Sequence, residues 1–141
     1  MITEDYISFE TAKLLKEKGF QQIQDNCGYF TTDMVYSINA DKEGKHHFAK
    51  QYPAGVYNKD KYIAAPTHQM AMKWLREVYK IHIIAEPCLG EGNEPNLCFN
   101  RWFWTILIES GEYKPIRKID EFPTYEEACE NATKYCLKNL I

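Results

Sequence analysis

Residues 99–109, FNRWFWTILIE, constrain the fold more than any other part of the chain. Aromatic and β-branched residues dominate them. A period of two puts Asn100, Trp102, Trp104, Ile106 and Ile108 on one face, and Phe99, Arg101, Phe103, Thr105 and Leu107 on the other. Both faces are mostly apolar. Such a strand is central in its sheet and covered on both sides, or it keeps one side for a partner. The tryptophan face makes the better core, because Arg101 and Thr105 mark the opposite face as partly exposed. An arginine among rings holds a nucleotide base or phosphate, or anchors a protein partner. The competing reading is plain packing, with the Arg101 stem lying on the surface and its head in water. Arg101, Phe99 and Phe103 are therefore candidate binding residues.

Layers to cover that strand come from three segments with a common opening. These are Ser8-Phe9-Glu10-Thr11-Ala12, Thr67-His68-Gln69-Met70-Ala71 and Thr124-Tyr125-Glu126-Glu127-Ala128. Each offers a hydroxyl that accepts from orphan first-turn amides, and an early acid or amide at the positive end of the helix dipole. The third is a complete capping box, sharpened by Pro123. Helices are predicted over 9–18, 68–80 and 125–139, with Gly19 ending the first in a left-handed conformation. The openings lie 59 and 57 residues apart. That spacing admits an internal duplication, but good helix starts converge on the same few residues, and convergence is the favoured reading.

Strands are predicted at 34–39, 81–86 and 99–109. The polar turn DKEG at 41–44 joins 34–39 to a strand near 46–51 as a hairpin. The stretch 52–66 reads as a long irregular loop or edge, and 87–96 as an open loop. The expectation is one α+β domain over 1–141: three helices packed on an antiparallel or mixed sheet of four to six strands, in the order α-β-β-α-β-β-α.

The helix faces differ. The third keeps Tyr125, Ala128, Cys129, Ala132, Tyr135, Cys136 and Leu140 on one stripe, whose small side chains suit close approach to a sheet. On the second, Met70, Ala71, Met72, Trp74, Leu75, Val78 and Tyr79 spread over about half the wheel, beyond the roughly 100° stripe of a surface helix. Such a helix is covered from two directions, by a sheet and by another helix or subunit. Met72 and Tyr79 form the outer edge of that arc and join the candidate contact residues, and a homo-oligomer is expected. The helix runs into Ile81–Ile84 with no room for a loop.

No catalytic pattern is readable. His46 and His47 are neighbours on a predicted strand and point to opposite faces, which makes a poor chelate. His82 begins a strand and is kept as a candidate contact residue; a rival reading makes it the base of a small Cys/His enzyme with Cys88 or Cys98. The five cysteines are scattered with no CxxC pair and read as buried apolar residues of a reducing cytosol, so neither metal nor cofactor is expected.

A net charge of −3 with acids and bases interspersed disfavours duplex DNA as a partner. No apolar run approaches the roughly 18 residues of a membrane span, and MITEDYISFE lacks the basic start and apolar run of a signal peptide. A cytoplasmic location is expected. Aromatic residues, 14% of the chain, suit both a core and a binding surface.

The blocks SFETAKLLKEKGF at 8–20, PTHQMAMKWLREVYKIHI at 66–83 and PTYEEACENATKYCLKNLI at 123–141 resemble a group of short reading frames from phages and mobile elements of gut Bacteroidetes. The likeness covers roughly a third of the chain and implies a phage or prophage setting. The group has no known activity, and no functional residue is carried over from it. Together these readings suggest a non-enzymatic accessory protein that binds a host protein or a small ligand such as a nucleotide, with counter-defence as its purpose. The rivals are the Cys/His enzyme and a virion structural or assembly protein.

Overall fold

A computed structural model describes residues 2–23, 27–31, 47–49, 62–89, 97–110 and 115–141. Its elements are α1 (Phe9–Glu17), β1 (Gly28–Thr31), β2 (His47–Ala49), β3 (Tyr62–Ala65), α2 (His68–Tyr79), β4 (Ile81–Leu89), β5 (Leu97–Ile108), β6 (Ile116–Phe122) and α3 (Tyr125–Asn139). This is an α+β protein with the three helices expected. Among the described residues, six strands form two antiparallel three-stranded sheets, ordered β2-β1-β3 and β4-β5-β6. The chain divides into two compact units, Met1–Ala71 and Met72–Ile141, with the boundary inside α2.

The helix ends follow the capping chemistry. Ser8 Oγ accepts from Thr11 N at 3.3 Å, Thr67 Oγ1 from Met70 N at 3.3 Å and Thr124 Oγ1 from Glu127 N at 3.1 Å. Gly19, at φ 92°, closes α1: Phe20 N reaches back to Leu15 O and Gly19 N to Lys16 O. Lys80 does the same work between α2 and β4. Its φ of 58° turns the chain in one residue, the means by which a helix enters a strand without a loop.

In the first unit, residues 5–8 run beside residues 66–68. Ile7 N donates to Pro66 O, His68 N to Asp5 O, and Tyr6 bridges Thr67. Helix α1 buries Thr11, Ala12 and Leu15 and packs on β3, whose Ala64 and Ala65 are both fully buried. An aromatic group fills the sheet face: Phe30 meets Phe48 at 5.4 Å and Phe9 at 5.6 Å, and Tyr6 meets Phe48 at 4.8 Å. β3 falls in the stretch read as loop or edge and is an edge strand, and β2 falls within the predicted 46–51. The predicted strand 34–39 lies outside the described residues. Among the described residues, the strand after α1 is central in its sheet, whereas the strand after α2 is at an edge. The described strands of the two halves are therefore ordered differently, β2-β1-β3 against β4-β5-β6, which an internal duplication would not lead one to expect.

In the second unit, β4, β5 and β6 form a meander. β4 pairs with β5 from Ile81↔Ile108 to Pro87↔Trp102, and on to Leu89↔Leu97 after a register shift. The long β5 thus draws Pro87–Leu89, read as open loop, into the sheet. α3 packs against all three strands. Ala128, Cys129, Ala132 and Cys136 are fully buried, joined by Thr133 and Leu137. On α2 the buried arc is narrower than the pattern suggests: Ala71, Met72 and Leu75 are buried, while Val78 is exposed.

Candidate binding face on the second sheet

Cross-strand register sorts the side chains of this sheet into two faces. Ile81, Ile83 and Ala85 of β4 stand opposite Ile108, Ile106 and Trp104 of β5. This front face carries α3. Trp104 is 1% exposed, meets Tyr135 at 5.3 Å and donates from Nε1 to Asn131 Oδ1 at 3.0 Å. Trp102 meets the Tyr125 ring edge-on at 5.4 Å. The tryptophan face is the core, as its composition predicts, and the indole N–H finds a partner as a buried indole requires.

The reverse face is built from His82, Ile84 and Glu86 of β4, Arg101, Phe103, Thr105 and Leu107 of β5, and Arg117 of β6. Ile84 is 39% exposed, and Phe103 and Leu107 are half-buried. Charged groups rim this apolar strip. His82 Nε2 lies 2.9 Å from Glu109 Oε1, and Arg101 pairs with Glu121. The Arg117 guanidinium sits over the Phe103 ring at 5.8 Å, and its Nε donates to Thr105 Oγ1 at 3.3 Å. Arg117 thereby covers Thr105, which is buried. Glu86 adds a third carboxylate to this rim beside Glu109 and Glu121.

Of the candidate residues, the structure brings Arg101, Phe103 and His82 onto this one face. Phe99 is in β5, and its side chain lies outside the described residues. Met72 is buried on α2, and Tyr79 packs edge-on against Trp74 at 5.2 Å, so these two belong to a different element. Ile84, Arg117 and Glu121 are added by the structure. Ile84 was hidden in an apolar run. The other two lie on β6, whose Ile116, Ile119 and Phe122 recur every third residue; the register shift opposite Trp102 and Trp104 breaks the period of two that marks a strand.

The Cys/His pair does not assemble. His82 and Cys88 stand six residues apart along β4, roughly 20 Å at strand rise. Cys98 is beside the Cys88 end, one residue from the Leu89↔Leu97 pair. Burial pushes the Cys27 thiol up to about 12, Cys129 to about 11 and Cys136 to about 12, which keeps all three protonated and unreactive at neutral pH. Among the described residues no cluster of three His, Cys, Asp or Glu side chains is placed to hold a metal ion, and no helix is long and apolar enough to cross a membrane.

No protein-family model, no curated protein and no solved structure matches the chain.

Proposed function

We propose that this chain is a non-enzymatic recognition module of a phage or mobile element, and that it docks a host protein on the reverse face of the second sheet for counter-defence. The observation that carries the reading is the strip of Ile84, Phe103 and Leu107, left partly exposed on a sheet whose other face is filled by α3. The charge balance favours a protein over a nucleotide. Arg101 is already paired with Glu121, and among the described residues the two guanidiniums of this rim, Arg101 and Arg117, stand with three carboxylates, Glu86, Glu109 and Glu121, a rim suited to mixed-sign protein surfaces rather than to a polyphosphate. The resemblance of three blocks to phage and mobile-element reading frames supplies the setting.

The test is affinity capture from a lysate of a gut Bacteroidetes host, run in parallel with Arg101→Glu. Reversing that exposed charge leaves the fold within about 1 kcal/mol and is expected to abolish retention of the partner. A partner retained equally by both forms, or none retained, counts against the reading. A thermal-shift screen of nucleotides and cyclic nucleotides separates the small-ligand alternative, for which a shift lost in Arg101→Glu is the signature.

A further inference from the structure

The two edges of the second sheet are not alike. β6 is the edge of a protein that avoids strand pairing: it carries Arg117, Lys118, Asp120 and Glu121, a register shift, and prolines at 115 and 123 on either side. β4 offers Ile81, Ile83, Ile84 and Ala85, and its one proline stands at position 87.

The direction of the β4 backbone groups follows from one hydrogen bond. Glu109 N donates to Lys80 O at 3.0 Å, so residue 80 turns its carbonyl toward β5. Alternation then turns residues 82, 84 and 86 toward β5 and residues 81, 83, 85 and 87 outward. Pro87, lacking an N–H, falls on the outward side, where the ladder to β5 loses nothing. Among the described residues, no strand pairs with this outer edge.

We propose that β4 pairs antiparallel with β4 of a second copy of this chain, with the twofold axis at Ile84, so that two three-stranded sheets become one of six strands. The register is self-complementary. Outward-facing Ile83 meets Ala85 of the other copy twice, and each of these pairs exchanges two backbone hydrogen bonds. Ile84 meets Ile84 at the axis, covering the exposed apolar side chain of the strand. His82 stands opposite Glu86 of the second copy, and Glu86 opposite His82, so both acid–base matches are made at once. A twofold placed between residues would set outward groups against inward ones and make no ladder. Moving the axis to Ile83 would put Ile84 against His82 and call on Lys80, which is turned out of the strand at φ 58°. This goes beyond the recognition reading: the pairing sets two reverse faces side by side, and it is tested by mass rather than by capture.

Sedimentation of the full chain at tens of micromolar reads the pairing. A dimer is expected, and Ile83→Pro, which deletes an outward N–H without touching the β5 ladder, is expected to weaken it at least tenfold. Should that variant fail to fold, Ile84→Cys gives a second readout. Directly opposed residues in a non-hydrogen-bonded pair suit disulfide geometry, so mild oxidation is expected to cross-link Ile84→Cys well above the native chain, and Glu86→Cys no more than the native chain. A monomer at every concentration, a dimer indifferent to Ile83→Pro, or equal cross-linking at 84 and 86 overturns the proposal. A chain that stays monomeric on its own but gains an extended peptide at the β4 edge overturns the second copy as its occupant.

Discussion

The two units reach stability by different means. The first binds short strands of three or four residues with rings: Tyr6, Phe9, Phe30 and Phe48 meet across elements far apart in sequence, and α1 rests on a small strand. The second has strands of seven to twelve residues, joined in chain order, with a long helix laid on them through alanine and cysteine. In one, large side chains fill space that short strands leave. In the other, small side chains bring a helix close enough for two tryptophans to do the filling. Damage should therefore take a different form in each: lost volume in the second, added volume in the first.

The largest effect is expected in the second unit. Trp104→Ala removes a fully buried ring, its contact with Tyr135 and the partner of Asn131, and should cost about 3–5 kcal/mol. All three tryptophans lie in residues 72–141, so intrinsic tryptophan fluorescence in urea follows this unit alone. A loss under about 1 kcal/mol would mean the indole is not the centre of that core.

The first unit should fail in the opposite sense. A Cβ on Gly28 would run into the Phe48 ring, which lies across that glycine and is held between Tyr6 and Phe30. Gly28→Ala should cost about 1–3 kcal/mol through overpacking. Amide exchange should quicken in β1 to β3 while β4 to β6 keep their protection. Equal quickening in both sheets would show that the units unfold as one.

Alkaline pH sharpens the contrast. Below pH 9.0, the ordinary thiol value, folded and unfolded chains hold the same thiol protons. Above it, the unfolded chain loses protons that buried Cys27, Cys129 and Cys136 keep until about 11 to 12. The unfolded state then binds fewer protons, so stability falls as pH rises, by up to about 1.4 kcal/mol per pH unit for each thiol. Two of the three are on α3 and one is in the first unit. Urea midpoints between pH 8 and 10.5 should fall more steeply for tryptophan fluorescence than for first-unit amides. Replacing Cys129 and Cys136 by alanine should flatten that slope, and an unchanged slope would refute burial as its cause.

The same difference decides what the sequence reveals. Helices are legible to within a residue, because Ser8, Thr67, Thr124 and Gly19 act locally. β5 is legible because its period of two runs unbroken, and Trp104 and Arg101 fall on the faces that period assigns. β3 hides in a proline- and tyrosine-bearing stretch because its strand character comes from pairing with β1, a non-local fact. β6 hides because a register shift erases its alternation. The binding face inherits that blind spot. Its β5 members could be named from alternation, whereas Arg117 and Glu121 reach Phe103 and Arg101 only once the meander closes.

The smallest expected effect tests that face assignment most cleanly. Arg101 and Glu121 are 47% and 43% exposed, so their pairing works against water and salt and holds less than about 1 kcal/mol. Arg101→Ala should leave the urea midpoint of the second unit nearly unchanged, with the little it loses vanishing at high salt. Trp104→Ala, three residues along the same strand, should be several-fold more damaging. The ratio between the two matters more than either value, because strand parity alone separates them. Were Arg101→Ala the more damaging, the reverse face would be the core of this sheet, and the strip of Ile84, Phe103 and Leu107 would be packing rather than a surface for another molecule.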